Sequence, residues 1–288
     1  MIWEYLLRLD RRIIFLAMGL GIVIPLLFPV SLPVGEQRVT RVLFDAVDDL
    51  DPEQQCLMIS SDFSPQTEAE NYPMVVALCR HGFSARIPVL VNALYVEGAP
   101  ILADAIEFTM DEFNARATSR ADSIIYGRDV VYLGWQPPPI VPILGMGESI
   151  LNVYPDDYYG NRTDSLEIMQ WIHTYDEIGI VVAITGLSAP LWYVQFAQTR
   201  YGVAVGAGCT AVCAPDFYPY CATGQISGMM AGMKGAAEYE EMLEAKYAPG
   251  GRRKATEGMV AQSAAHLVIM AFVIIGNIAF FATRKKKS

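Results

Sequence analysis

Residues 177–212, EIGIVVAITGLSAPLWYVQFAQTRYGVAVGAGCTAV, carry the pattern that decides the fold class. Glu177–Thr185 is apolar at both alternating sets of positions, which predicts a strand covered on both of its faces. Ala189–Tyr201 is predicted as a helix with Pro190 in its first turn, and Gly202–Val212 as another buried strand. Buried strands that alternate with helices are typical of a parallel sheet.

The same alternation runs through the first half of the chain. Strands are predicted at Gln55–Asp62, Arg86–Leu94 and Asp129–Gly134, with helices at Tyr72–His81 and Ala99–Arg116. We therefore expect one α/β domain over residues 54–248. Its mostly parallel sheet should have about five strands, with helices on both faces.

Four further segments complete the expected domain. Ile140–Leu144 is a possible extra strand, Ser165–Thr174 is predicted as a helix, and Gly224–Lys246 as the terminal helix. Arg38–Val47, ahead of the first strand, is expected to form a juxtamembrane strand or helix.

One apolar segment lies near each end of the chain. Ile13–Val30 and Ala264–Thr283 are close to the ~20 apolar residues that a helix needs to cross a bilayer. We therefore predict one transmembrane helix at each terminus. Residues 31–53 would form a linker and juxtamembrane segment, and residues 249–263 a second linker. A cleaved signal peptide is the alternative for the first segment, but its exit, FPVSLPVG, lacks a small-x-small cleavage site.

The basic residues that flank the two apolar segments predict the orientation. The outer flanks contain seven, namely Arg8, Arg11, Arg12, Arg284, Lys285, Lys286 and Lys287. The inner flanks contain five, namely Arg38, Arg41, Arg252, Arg253 and Lys254. Because basic flanks favour the cytoplasmic side, we expect a two-pass protein of an inner or plasma membrane. Residues 1–12 and the basic tail 284–288 would be cytoplasmic, and the domain extracytoplasmic.

The charge and the cysteines limit the classes of partner and cofactor. The formal net charge of −10 argues against nucleic acid, which requires a basic footprint. Cys56 and Cys79 are expected to be buried in the core, whereas a disulfide among Cys209, Cys213 and Cys221 stays open. No metal site is expected, because the CxxxC spacing has neither a second pair nor a nearby histidine.

Polar residues follow the carboxyl ends of the predicted strands, where open parallel sheets bind ligands. Ser61, Thr185, Ser188 and Thr210 would donate hydrogen bonds to a small anion or carboxylate, and Asp62 lies beside them. The alternative is ordinary capping and turn chemistry, which short loops after strands contain in any case.

Catalytic and cofactor motifs fit poorly. The segment GLSAP places Pro190 where the G-x-S-x-G elbow of hydrolases requires glycine, and GMGE at Gly145–Glu148 lacks the third glycine of a dinucleotide fingerprint. Neither a P-loop nor HExxH occurs. Asp62, Glu97 and Glu148 could meet as paired acids, but no spacing requires it. The sequence therefore predicts neither a catalytic residue nor a cofactor.

Tyrosine and acidic residues are concentrated in YPDDYYGNRTD, Tyr154–Asp164. Aromatic loops are favoured at recognition surfaces, so Tyr158 and Tyr159 are candidate interface residues. The alternative is a loop folded over the edge of the sheet.

Glycines recur in the predicted terminal helix. Gly224, Gly228 and Gly232 are four residues apart, and Gly235 lies next to them. On a helix they would form a groove that lets another backbone approach closely. This groove would serve packing within the domain or an interface between subunits.

This region also carries a resemblance. GAGCTAV-x-AP-x-FYPY at Gly206–Tyr220 and GQ-x-x-G-x-x-x-G-x-KGAAEYE at Gly224–Glu240 resemble a family of uncharacterised bacterial membrane-anchored α/β proteins. No activity is assigned to that family, so the resemblance implies no catalytic residues.

These features together favour a membrane-anchored subunit of an oligomeric membrane assembly with a structural or scaffolding role. The partners expected are membrane lipid and either further copies of the chain or other membrane protein subunits. Two alternatives stay open, a domain that binds or senses a small ligand at the strand ends and an unrecognised hydrolase or transferase.

Overall fold

The apolar runs of the central region form the strands of one parallel sheet. The structure, a computed structural model, describes residues 10–28 and 35–284. Predictions for residues 1–9, 29–34 and 285–288 lie outside the described residues. They concern most of the N-terminal flank, the exit of the first apolar segment with the start of the linker, and the basic tail.

The chain divides into two compact units, one formed by residues 34–255 and the other by the terminal segments. The larger unit extends further than the expected 54–248, because α2 (Arg38–Asp48) belongs to it. Thr40, Leu43, Phe44 and Val47 are buried at helical spacing, which settles Arg38–Val47 as a helix.

The terminal unit contains α1 (Arg11–Leu27) and most of α11 (Lys254–Arg284). A Cβ on Gly21 would lie 3.2 Å from Cγ2 of Val268, so the two helices are in close contact at this glycine. Among the described residues, one helix, Lys254–Thr283, is long and apolar enough to cross a membrane. The prediction of a second span therefore goes beyond what the described part of α1 supports.

The sheet has six parallel strands in the order β3-β2-β1-β4-β5-β6. The strands are β1 (Cys56–Ser61), β2 (Val89–Ala93), β3 (Val130–Trp135), β4 (Ile178–Thr185), β5 (Ala204–Cys209) and β6 (Met229–Ala231). The α/β class and the parallel sheet are thus confirmed. Nearly every residue of β1, β2 and β4 is buried, as their continuous apolar sequences require.

Helices cover both faces of the sheet. Helices α2, α3 (Glu68–Ala85), α4 (Ala99–Asn114) and α10 (Gly232–Tyr247) pack on one face. The other face is covered by α5 (Ile140–Gly145), α6 (Ile150–Val153), α7 (Ala189–Tyr193), α8 (Thr199–Tyr201) and α9 (Ala214–Ala222). A π-helical turn, Val194–Gln198, joins α7 to α8, so the helix predicted at Ala189–Tyr201 is present with this irregularity.

Two predicted elements in the middle of the chain are wrong. Ile140–Leu144 lies in helix α5 and not in a strand, because Pro142 has no N–H for a ladder but is tolerated in the first turn of a helix. Ser165–Thr174 contains only the short 3-10 turns Thr163–Ser165 and Ile168–Gln170. Thr174 then starts a new turn through a capping box with Glu177.

The continuous helix predicted at Gly224–Lys246 is also wrong. Gly224 and Gly232 have φ of +78° and +62°, which a right-handed helix excludes. Residues 229–231 instead form β6, which pairs with β5, and α10 starts only at Gly232. The spaced glycines therefore do not form a stripe on one helix.

Candidate functional site

The order of the strands reverses between β1 and β4, and in such sheets the crevice outside their carboxyl ends is the usual ligand site. Asp62 follows β1 and Thr185 ends β4 at this point. The order is that of doubly wound dinucleotide-binding folds. However, the loop SDFSPQT that leads from β1 to α3 contains no glycine, so the phosphate-binding turn of those folds is missing.

Asp62 uses the hydrogen-bond donors of this crevice. Its carboxylate accepts bonds from Thr185 Oγ1 at 2.8 Å, Gly186 N at 3.1 Å and Ala189 N at 3.2 Å. Ala189 is the first residue of α7, so the carboxylate occupies the position that an anion would take at this helix start. Burial raises the pKa of Asp62 to about 6, although the bond from Thr185 and the backbone bonds act in the opposite direction.

The other predicted site residues lie on neighbouring segments of this edge. Because side chains alternate along a strand, Ser61 and Asp62 point to opposite faces of the sheet. The Oγ atom of Ser61 accepts a hydrogen bond from Phe63 N at 3.3 Å. Ser188 precedes α7 without a capping bond from its side chain. The backbone N–H of Thr210 donates to the carbonyl of Thr185 at 3.3 Å. Binding of a small anion stays a prediction, and one of the side chains expected for it, Thr185, donates to Asp62.

The structure does not bring the three predicted acids together. Glu148 contacts Arg200 and Tyr201 at the end of α8, on the side of the sheet where strand β5 begins. Asp62 is buried at the opposite edge, whereas Glu97 is exposed after β2. Within the described residues, no cluster of histidine, cysteine or acidic side chains could hold a metal ion.

A buried polar cluster lies next to the crevice, near the carboxyl ends of β1 and β2. Tyr193 Oη donates to Ser60 Oγ at 2.8 Å, and Asn92 Nδ2 donates to Tyr154 Oη at 3.2 Å. The Oδ1 atom of Asn92 has no hydrogen-bond partner. No pattern in the sequence marks this cluster, because its members come from separate elements that only the fold brings together.

The most specific arrangement of charged side chains lies on α10, in the tripeptide Glu238-Tyr239-Glu240. Glu238 is 2% exposed, and its Oε2 accepts from Thr40 Oγ1 at 2.7 Å and from Gln37 N at 3.2 Å. Lys234 pairs with the other oxygen of Glu238 and also donates to the carbonyl of Gly35 at 3.1 Å. Glu238 therefore holds the segment through which the chain enters the larger unit.

Glu240 holds the segment through which the chain leaves this unit. It is 3% exposed and accepts from Ala255 N at 3.0 Å. The carbonyl of Arg252 accepts from Arg80 at 3.0 Å, and Lys254 lies 3.7 Å from the ring centre of Phe108. Residues 249–255, expected to be part of a flexible linker, are therefore packed on α3, α4 and α10.

Tyr239, between the two glutamates, extends the arrangement to α3. Its hydroxyl is 2.7 Å from His81 Nδ1, and His81 Nε2 is 3.2 Å from Asp48 Oδ1. Burial lowers the pKa of His81 to about 4, although Asp48 acts in the opposite direction. A neutral imidazole has one N–H and a carboxylate only accepts, so Nε2 donates to Asp48 and Nδ1 accepts from Tyr239.

The entering connection lies at the carboxyl-end edge of the sheet. Gly35 contacts Lys234, which is in the first turn of α10, directly after β6. Lys254 shares an open groove with Pro65, which is in the loop after β1. The leaving segment starts on the opposite side, because the carbonyl of Pro249 accepts from Arg116 just beyond the end of α4, and it reaches the middle of α10 at Ala255.

The candidate interface residues have contacts within the domain. Tyr158 lies over the edge strand, with its N–H 2.9 Å from the carbonyl of Tyr132, and Tyr159 donates to Glu107. The loop therefore covers the edge of the sheet, as one interpretation expects, but Tyr158 and Tyr159 remain 38% and 43% exposed. Their role in an interface stays a prediction.

The glycines also have roles within the domain. A Cβ on Gly228 would lie 2.4 Å from the backbone nitrogen of Leu43, and one on Gly235 would lie 2.8 Å from the backbone of Met230. Gly224, in contrast, has open space around it. Gly228 and Gly235 thus permit close packing inside the fold. A role of these glycines between subunits stays a prediction.

All five cysteines are free thiols. Comparison with known proteins found no matching family model, no similar curated protein and no similar solved structure. The resemblance of Gly206–Glu240 to a bacterial membrane-anchored family therefore stays a prediction.

Proposed function

We propose that this protein is a membrane-anchored subunit of an oligomeric membrane assembly, in which its α/β domain has a structural role. The observation that supports this proposal is that two buried glutamates of one helix, Glu238 and Glu240, hold the two connections of the domain. A domain that is tethered at both ends through ordered segments suits a subunit of a ring or lattice more than a freely diffusing protein.

The proposed topology has two membrane spans, with both termini in the cytoplasm and the domain outside it. Helix Lys254–Thr283 supports one span by its length and its apolar composition. The second span and the orientation rest on the apolar sequence of residues 13–30 and on the basic flanks. External protease added to spheroplasts should digest the domain, and full protection would contradict the orientation.

The two alternative functions have less support. A site for a small anion would have to compete with Asp62, whose carboxylate takes the donors at the start of α7. A hydrolase or transferase would require a nucleophile next to a base in an accessible crevice. Asp62, the perturbed acid at the strand ends, is only 3% exposed. A metabolite that raises the Tm of the wild type but not of Thr185→Val would favour the ligand-binding alternative.

Native mass measurement in mild detergent tests the proposed function. The full chain should give a defined oligomer of itself or a complex with other membrane proteins. The variant Tyr158→Ser/Tyr159→Ser should shift the distribution towards smaller species if this loop contributes to the contact. Tyr95→Ser is the matched control, since Tyr95 is similarly exposed at 37% but lies in another loop. A monomer without partners under all mild conditions would refute the proposal.

A further inference from the structure

The ammonium group of Lys254 lies against two aromatic rings of the larger unit. Its Nζ atom is 3.7 Å from the ring centre of Phe108 and 4.4 Å from that of Tyr72. It also donates to the hydroxyl of Tyr72 at 3.4 Å. Contact of one cation with two ring faces is the arrangement by which proteins recognise alkylammonium groups. Lys254 thus shows which chemical group these rings accept.

Helices α3 and α4 build this arrangement without any contribution from Lys254. Tyr72 is on α3, whereas Asp104 and Phe108 are one turn apart on α4. The Tyr72 hydroxyl donates to Asp104 at 2.6 Å, so a bond between the two helices fixes one ring. We term Tyr72, Asp104 and Phe108 the ammonium site. Because all three belong to two helices that pack on each other, the site is complete before Lys254 enters it.

The surroundings of the site favour a cation. An open groove of about 480 Å³ continues from Lys254 past Asp104 and Glu68, and its other walls are Pro65, Ala69, Tyr72 and Pro73. Among the described residues that line this groove, Lys254 is the single basic one and two are carboxylates. Without the lysine, the groove would carry two negative charges beside two ring faces. Such a groove attracts an ammonium ligand and repels an anion.

One further cation lies close to the ammonium site. Arg80 donates to the carbonyl of Arg252, two residues before Lys254, at 3.0 Å. The charge of Arg80 is paired with Glu112 at 2.6 Å, and its side chain is 3% exposed. This arginine therefore adds little net positive charge to the groove.

Lys254 reaches the site on a segment that can pivot at its start. Gly250 and Gly251 have φ of +69° and +92°, which favour glycine and leave this point of the chain adaptable. Beyond them, the backbone is held by the bond from Arg80 to the carbonyl of Arg252 and by the bond from Ala255 N to Glu240. Lys254 adds a side-chain contact between these two backbone bonds. Loss of that contact would loosen residues 249–255 and leave the rest of the domain intact.

We propose that the ammonium site binds a small alkylammonium compound and that Lys254 occupies the site as an internal competitor. Binding of the compound displaces Lys254 and loosens residues 249–255. Because Glu68 and Asp104 repel an anionic group beside the ammonium, a free alkylammonium compound fits better than a phospholipid headgroup. This inference goes beyond the proposed function and does not rest on it, since every residue that it uses lies within the α/β unit.

Choline binding to the full chain tests this site. Titration calorimetry is carried out in dodecyl maltoside, a detergent with neither charge nor ammonium group. Lys254→Ala should bind choline about tenfold more tightly than the wild type, because the tethered competitor is gone. Dimethylbutanol, in which carbon replaces the charged nitrogen of choline, should not bind measurably. Glycerophosphocholine, the soluble headgroup of a phospholipid, should bind more weakly than choline, and tighter binding would overturn the assignment to a free alkylammonium compound.

Two variants in the Lys254→Ala background locate the bound choline. Phe108→Leu keeps an apolar side chain but removes one ring face, and Asp104→Asn keeps an acceptor for the Tyr72 hydroxyl but removes a charge. Each should weaken choline binding about tenfold without a large change in Tm. Unchanged choline binding in both variants would place the ligand elsewhere and refute the ammonium site.

Lys246→Ala is the matched control. The Nζ atom of Lys246 lies 5.3 Å from the ring centre of Tyr247 and pairs with Asp48, so this variant also frees an aromatic ring and a carboxylate. It supplies one ring instead of two and lies outside the groove. Choline binding should therefore stay at the level of the wild type, and a gain equal to that of Lys254→Ala would contradict the assignment.

Amide hydrogen exchange tests the role of Lys254 as a competitor. Saturating choline should speed exchange in residues 249–255 of the wild type, and Lys254→Ala should show the faster exchange without choline. Absence of choline binding in Lys254→Ala, or equal binding of dimethylbutanol, would refute the ammonium site. Choline binding that leaves the exchange of residues 249–255 unchanged in the wild type would refute the displacement of Lys254.

Discussion

Glu238 and Glu240 are two residues apart on α10, both are buried, and each holds a different connection of the α/β unit to the rest of the chain. Two residues on a helix are about 200° apart around its axis. One side chain therefore reaches the entering segment at Gln37 and Thr40, and the other reaches the leaving segment at Ala255. A single turn of helix thus fixes both ends of the domain.

Removal of the Glu238 carboxylate should destabilise the domain. Glu238→Ala leaves Thr40 Oγ1 and Gln37 N without their acceptor, which should lower the free energy of unfolding by about 2–3 kcal/mol. Denaturant unfolding in mild detergent, followed by tryptophan fluorescence, measures this change. Glu241→Ala is the control, because Glu241 is exposed and should change stability by less than about 0.5 kcal/mol. Equal effects of the two variants would contradict the role of Glu238.

Loss of Glu240 should release the leaving segment. Glu240→Ala removes the acceptor of Ala255 N, so trypsin should cleave at Arg252, Arg253 and Lys254 faster than in the wild type. Time-resolved mass analysis of the fragments measures the rate. Glu244→Ala, on an exposed position of α10, should leave the rate unchanged. An unchanged rate in Glu240→Ala would show that this bond does not restrain the segment.

His81 should make stability depend on pH. Its pKa is about 4 in the folded protein against 6.5 in the unfolded chain, so the unfolded chain binds the proton first. The contribution is complete above pH 6.5 and is lost as the pH falls towards 4, by up to about 3 kcal/mol. His81→Phe should abolish this part of the slope, whereas His173→Gln, on the surface, should keep it. Parallel pH profiles for His81→Phe and the wild type would refute the assignment.

The contribution of Asp62 to stability should depend on pH in the opposite direction to that of His81. Burial raises its pKa to about 6, so its contribution is complete below its unfolded pKa near 4 and is lost as the pH rises through 6. The stability of Asp62→Asn relative to the wild type should therefore improve by about 2.5 kcal/mol between pH 4 and pH 7. Unfolding at both pH values measures it. Asp111→Asn, an exposed control, should show no such trend.

Gly228 distinguishes packing within the domain from a contact between subunits. Gly228→Ala places a Cβ 2.4 Å from the backbone of Leu43 and should cost about 2 kcal/mol, at every protein concentration. Gly35→Ala, where a Cβ meets no atom within 4 Å, is the control. A loss of stability that disappears on dilution would instead assign Gly228 to an interface.

Several elements could be predicted from local sequence. Glu177–Thr185 and Gln55–Asp62 are apolar on both faces, and such runs are stable only inside a covered sheet, so β4 and β1 were predicted near their observed bounds. The position of Asp62 and Thr185 at the strand ends followed from the same pattern. The hydrogen bond between Asp62 and Thr185 could not be predicted in this way. An aspartate that accepts a bond from a neighbouring strand and an aspartate that faces solvent have the same local sequence.

Other elements depended on contacts with distant parts of the chain. Met229–Ala231 has too few residues for a recognisable period, and it is a strand because β5 supplies its hydrogen-bond partners. The helix predicted at Tyr72–His81 continues to Ala85, and Gly82 within it leaves room for the side chain of Val89. Arg86, at φ 60°, takes the left-handed position instead.

The sequence by itself determined the parallel α/β class, the long apolar helix near the C-terminus and the mainly apolar strands, because these follow from the composition and period of short segments. Only the tertiary structure decided that Asp62 fills its own crevice and that Glu238 and Glu240 hold the two ends of the domain. The partners of Glu238 are about 200 residues away, and burial of a glutamate becomes favourable only when those partners are in place. Such pairings depend on the whole fold, and no local pattern records them.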